Sequence, residues 1–130
     1  MPVIAFVCPK GGAGKTTAAL LLALELAHAG RRVRMIDADP NQPLVRWRMD
    51  GGAADGLDIV GEVDEAKLPA AIRAAASAAS RVIVDTEGAA VSAAAHAIAA
   101  ADLVVIPTGP SALDAQEAVK AVALVRIAER

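Results

Sequence analysis

Residues 3–17 read Val3-Ile4-Ala5-Phe6-Val7-Cys8-Pro9-Lys10-Gly11-Gly12-Ala13-Gly14-Lys15-Thr16-Thr17: a short apolar run, a glycine-rich turn and the start of a leucine-rich segment. Glycines at 11, 12 and 14 let the backbone curl so that successive N–H groups face an anion, and no side chain blocks its approach. Lys15 adds a point charge near terminal phosphates, and Thr16 offers a hydroxyl to Mg²⁺. The turn also opens a helix, whose first N–H groups and positive dipole end favour negative charge. Residues 10–17, including Ala13 and Thr17, are therefore read as the nucleotide-binding stretch. The plainer alternative is a glycine turn that merely joins strand to helix.

Outward from this loop, apolar runs alternate with helical patterns, which is how parallel α/β sheets are written. Strands are expected at 3–7, 33–36, 57–60, 82–84 and 103–106, the last stopped by Pro107. Helices are expected at 16–29, 44–49, 65–79, 92–100 and 111–128, with Gly30 ending the first in the usual C-terminal position. Leucines at 20, 21, 22, 24 and 26 are assigned to the core face of the first helix. Val119, Val122, Val125 and Ile127 are assigned to the sheet-packing face of the last. The fold class is α/β, a parallel sheet with helices on both faces, and residues 1–130 are read as one domain.

In such sheets ligands bind beyond the carboxyl ends of the strands. The loop at 10–16, the pair Asp37 and Asp39, Asp85, and Thr108 each directly follow an expected strand, so four segments converge on one edge. Phosphoanhydride hydrolysis needs a cation at the phosphates, donors that hold them and a group that orients water. Thr16 and a strand-end aspartate can share the Mg²⁺ shell. Asp85, closing Val82-Ile83-Val84, suits that role; the alternative is a helix cap after a strand. Asp39, in Asp39-Pro40-Asn41, can equally be a turn starter. Glu87, two places after Asp85, is a second candidate for the water-orienting base.

Composition narrows the classes. The chain is 55% apolar with one Trp, one Phe and no Tyr, so alanine, valine and leucine must fill a closely packed interior. A net charge of −2 argues against a broad basic face for nucleic acid. Cys8 is the only cysteine, which excludes an internal disulfide or a Cys-ligated cluster within one chain. No basic stretch precedes the apolar residues 3–6, and the alanine-rich stretch from Ala89 is broken by Ser92, His96 and Asp102. Neither a signal peptide nor a membrane segment is expected, and a cytoplasmic setting follows. Arg46-Trp47-Arg48 reads as a short helix packed through Trp47 with both arginines in water, or as a partner contact. Arg31, Arg32 and Arg34 read as solvated cations past a helix end. His28 and His96 have no metal-ligand neighbours at helical spacing.

Pro9 stands where the general nucleotide pattern has its first glycine, and Lys10 immediately precedes the glycines. This variant resembles the deviant Walker A loop of the ParA/MinD family of ATPases. Asp37-Ala38-Asp39-Pro40 is similar to that family's first switch segment. The stretch 37–48, with Asp85-Thr86-Glu87-Gly88 and Ile106-Pro107-Thr108 followed by Ser111, resembles the VirC-type accessory ATPases of T-DNA transfer, a ParA branch. The resemblance implies a P-loop NTPase fold, ATP and Mg²⁺ as ligands, and a homodimer in the ATP state. In that dimer Lys10 reaches the partner's phosphates.

The same resemblance places catalysis on Lys10, Lys15 and Asp39, and metal binding on Thr16, Asp37 and Asp85. It implies a switch in DNA or plasmid partition or a related positioning task, with DNA and a partition-type protein as partners. The rival expectation is a nucleotide-dependent interaction module with little turnover. Relatives of this family run longer, so the chain is expected to be its N-terminal portion.

Overall fold

The computed structural model describes residues 2–7, 15–86 and 91–128. Lys10 to Gly14, Cys8 and Glu87 lie outside the described residues, and of Lys15 only its backbone place is described.

Ten elements alternate along the chain: β1 (Val3–Phe6), α1 (Lys15–His28), β2 (Val33–Asp37), α2 (Pro43–Met49), β3 (Leu57–Gly61), α3 (Leu68–Ala78), β4 (Arg81–Asp85), α4 (Val91–Ala100), β5 (Leu103–Val105) and α5 (Ala112–Ala128). The expected elements are all present, with boundaries moved by up to three residues. The strands form one parallel sheet in the order β3-β2-β4-β1-β5. Register places Phe6 beside Asp85 and Val105, and Asp85 beside Asp37, so the last residues of these strands share one row.

Side chains alternate across the sheet and build a core on each face. Val3, Ala5, Val82 and Val84 point to the layer of α3, α4 and α5, where Leu68, Ile72, Ala97 and Ile98 are buried. Ile4, Phe6, Met35 and Ile83 point to the layer of α1 and α2, where Ala19, Ala23 and Leu44 are buried. Each fully buried Leu or Ile contributes about 1.5–3 kcal/mol relative to exposure. Gly30, at φ 86°, closes α1 with bonds from its own N–H to Ala27 O and from Arg31 N–H to Leu26 O. This paired pattern satisfies the orphaned carbonyls of the last turn and needs a left-handed residue.

Two helix faces differ from expectation. In α1 the fully buried residues are Ala19 and Ala23, while Leu20, Leu22 and Leu26 are partly buried against the same core and Leu21 is exposed. Small residues at the contact let the helix axis come near the sheet, which moves the leucines to its flanks. In α5 the packed residues are Ala121, Leu124 and Val125; Val119, Val122 and Ile127 are exposed. The alanine at 121 takes the inward position assigned to the valines, and of the four expected residues only Val125 packs on the core.

The start of β1 is held by a reciprocal pair: Val3 N–H donates to Asp102 Oδ2 at 2.7 Å, and Asp102 N–H donates to Val3 O at 2.8 Å. Among the described residues no helix is long and apolar enough to cross a membrane.

Candidate functional site

Asp37 and Asp85 end adjacent strands in register. Their predecessors Ile36 and Val84 face the α3–α5 layer, so alternation turns both carboxylates toward the α1/α2 face. Phe6, in register with Asp85, also lies on that face. Helix α1 begins there with Lys15 and Thr16, directly after the stretch that holds the glycines. Of the sequence-predicted residues within the description, Thr16, Asp37, Asp39 and Asp85 belong to segments at the carboxyl edge of the sheet, and Thr17 is exposed in the first turn of α1.

Asp37 is fully buried, Asp85 is 1% exposed and Asp39 6% exposed. A carboxylate taken out of water needs donors or cations nearby. Asp37 has backbone donors: Oδ1 accepts from Asp39 N–H at 3.2 Å, and Oδ2 accepts from Leu44 N–H at 2.9 Å and Val45 N–H at 3.2 Å. Burial pushes its carboxyl above the ordinary value; the N–H donors of Val45, Leu44 and Asp39 pull it back, and the like charge of Asp39 adds to the rise. Asp39 Oδ1 accepts from Asn41 N–H at 2.9 Å, and Gln42 N–H donates to Asp39 O at 2.9 Å. The turn reading of Asp39 therefore holds in local geometry, and it fixes the carboxylate at the strand end. Ala38 N–H donates to Asp85 O at 3.0 Å, which continues the β2–β4 pairing one residue past Asp37.

Sequence reasoning overlooked Thr86. It is 1% exposed, and both its Oγ1 and its N–H donate to Phe6 O, at 2.7 and 3.1 Å. This ties the end of β4 to the end of β1, immediately before residues 8–14. The signal available was a small hydroxyl residue directly after a strand-end aspartate.

The remaining candidates lie elsewhere. Trp47 packs partly buried on the α1/α2 core, Arg46 is exposed, and Arg48 Nη1 pairs with Asp58 Oδ1 at 2.9 Å. Arg34, read as a solvated cation, instead pairs from its expected place in β2 through Nη2 with Asp58 Oδ2 at 3.0 Å. Register puts Arg34 directly opposite Asp58. A shallow cavity of about 320 Å³ lined by Arg32, Arg34, Leu57 and Asp58 sits at this amino-terminal end of β2 and β3, away from the carboxylates. His28 and His96 are exposed, and among the described residues no group of three His, Cys, Asp or Glu could hold a metal ion by itself. Oxygen donors of the kind Thr16 and Asp85 carry suit Mg²⁺, which takes one or two carboxylates and leaves its other positions to water and phosphate.

This five-stranded parallel order, with strand-end carboxylates on the face of the helix that follows the glycine-rich stretch, is a P-loop NTPase-like fold of the ParA/MinD type. The family model described as VirC1 protein matches residues 1–128, and the chain belongs to that family. Protein ParA of Rhizobium radiobacter is 43% identical over 115 residues, 88% of this chain and 52% of its own length. Protein virC1 of Rhizobium rhizogenes is 37% identical over 123 residues, 91% of this chain and 53% of its own length. The chain thus spans about half the length of these relatives. Among solved structures, a plasmid partition protein from Borrelia burgdorferi aligns over all of this chain and 76% of its own, with a TM-score of 0.81 at 16% identity. The septum site-determining protein MinD with Mg-ADP from Pyrococcus horikoshii aligns over 98% and 65%, with a TM-score of 0.77 at 23% identity. At those identities the likeness is one of fold.

Proposed function

We propose that this chain carries the nucleotide-binding and hydrolysing part of a Mg²⁺- and ATP-dependent switch of the ParA type. The observation that carries the reading is the row formed by Asp37 and Asp85 on the α1 face, beside the helix whose first turn holds Thr16. In this assignment the backbone N–H groups of 11–14 hold the phosphates and Lys15 neutralises their charge. Thr16 and Asp85 hold Mg²⁺, with Asp37 nearby. When bound, the ion neutralises charge that develops on the phosphate oxygens. Asp39 orients the attacking water, with Glu87 as the alternative base. Lys10 reaches the phosphates of a second subunit, so ATP brings two copies together and hydrolysis separates them. Cytoplasmic partition of DNA, or the accessory role in T-DNA transfer suggested by the VirC1 kinship, is the task such a switch would serve, with DNA and a partition-type protein as its partners.

Nucleotide binding, turnover and solution mass of the full chain, with and without ATP and Mg²⁺, test this. Turnover with an ATP-dependent dimer, both lost in Lys15→Ala, supports the switch. Binding without turnover supports instead a nucleotide-dependent interaction module. A Lys10→Ala variant that still dimerises with ATP and hydrolyses it normally would remove the cross-subunit role. If Glu87→Ala abolishes turnover and Asp39→Ala does not, the base is Glu87.

A further inference from the structure

Helix α2 lacks a cap of its own. Gln42, at its N-cap position, stands at φ 48° and ψ 54° and makes no side-chain bond to the helix, and Pro43 at the first position has no N–H to cap. The donors an N-cap residue normally takes are the next two N–H groups. Both go to Asp37 Oδ2, from seven and eight residues away in sequence. Oδ1 holds Asp39 N–H, and Asp39 in turn holds Asn41 N–H. A carboxylate has about four lone-pair sites, so three of Asp37's are filled by the backbone of 39–45.

We propose that Asp37 is a positioning residue, a clamp that fixes Asp39 and α2 against the carboxyl edge of the sheet, and that it is not itself a direct ligand of Mg²⁺. Turning Oδ2 to a metal would strip two helix donors at once. Mg²⁺ needs only one or two carboxylates besides phosphate and water, and Asp85 with Thr16 meets that need. The meaning of the clamp for catalysis rests on the ATP-switch reading above. The clamp itself belongs to the chain without nucleotide, so the two can fail separately.

The test is amide hydrogen exchange on the full chain, wild type and Asp37→Ala, without nucleotide or metal. Alanine removes both acceptor oxygens, so the Leu44 and Val45 amides should exchange about tenfold faster, as loss of a cap predicts, with the Val84 amide as an unchanged reference. The Mg²⁺ concentration that half-saturates nucleotide binding should move by less than about twofold, a change within half a kcal/mol. Unchanged exchange at Leu44 and Val45, or a tenfold or greater loss of Mg²⁺ affinity with their protection retained, overturns the clamp. Should Asp37→Ala not fold, wild-type exchange with Mg²⁺ and a non-hydrolysable ATP analogue decides: protection at both amides kept or raised supports the clamp, and its loss overturns it. A wild-type chain that binds no nucleotide sinks the switch reading and leaves the metal-free comparison to settle the clamp.

Discussion

Strand β2 carries charge near both ends, and the two ends are built in opposite ways. Near its start, Arg34 meets Asp58, which also holds Arg48, and these side chains are 30%, 45% and 50% exposed. Near its end, Asp37 is fully buried and held by backbone N–H groups alone among its described bonds. Water screens the first cluster, so its pairs contribute about 0–1 kcal/mol each. The second cluster is costly to bury, and structure has been organised around it: a turn, a helix start and a neighbouring aspartate. Exposed charge decorates this fold, whereas buried charge has local structure built to hold it.

The sharpest way to break this contrast is at the buried end. Asp85→Asn is expected to lower Mg²⁺-dependent ATP turnover by about 100-fold or more, since a metal-holding carboxylate supplies several kcal/mol to the transition state. Turnover within a few-fold of wild type would show that the buried row is structural. The next effect is on α2. A Cβ on Gly52 would come within 2.3 Å of the Trp47 ring, so Gly52→Ala should cost about 1–3 kcal/mol by overpacking. Trp47 is the single tryptophan, so its emission should shift in the same variant, and urea unfolding reads the loss.

A smaller, pH-dependent effect follows from Asp37. Its folded carboxyl titrates above the ordinary 3.8, so the folded state binds the proton more tightly than the unfolded one. That contribution to stability is fully present below 3.8 and is lost as pH rises through the raised folded value. Wild type should therefore gain stability over Asp37→Asn as pH falls through this window, as urea midpoints at several pH values would show. A gap that stays constant or narrows would contradict it. Smallest is the exposed end: Asp58→Ala should cost no more than about 1 kcal/mol and lose most of that at high salt. A larger, salt-insensitive loss would erase the distinction between the two ends.

The sheet was legible because strand ends carry both apolar runs and polar stops; Val82-Ile83-Val84 followed by Asp85 announces a buried strand and its edge together. The helix faces were less so. In α1 and α5, alanine and leucine alternate so densely that hydropathy cannot say which turns inward, and close packing chose Ala19, Ala23 and Ala121. Asp37 was identified as a site residue from its place after a strand, but its bonds to Leu44 and Val45 depend on the left-handed Gln42, which no local pattern reveals. A weak capping residue before Pro43 was the available clue: the cap had to come from elsewhere. Thr86 shows the same limit, since its partner Phe6 is 80 residues away.

The sheet order also bears on how the chain reaches this structure. β1 pairs only with β4 and β5, and its first amide is closed by Asp102, 99 residues later. During synthesis β1 is therefore made long before either neighbour, and its apolar residues wait without a strand partner while β2 and β3 can already pair. Such distant contacts delay the rewarding step until much of the chain has been ordered, which slows folding and leaves an adhesive strand exposed. The β2–β4–β1 centre of the sheet can close only once β4 is made, and the β1–β5 pairing only after that.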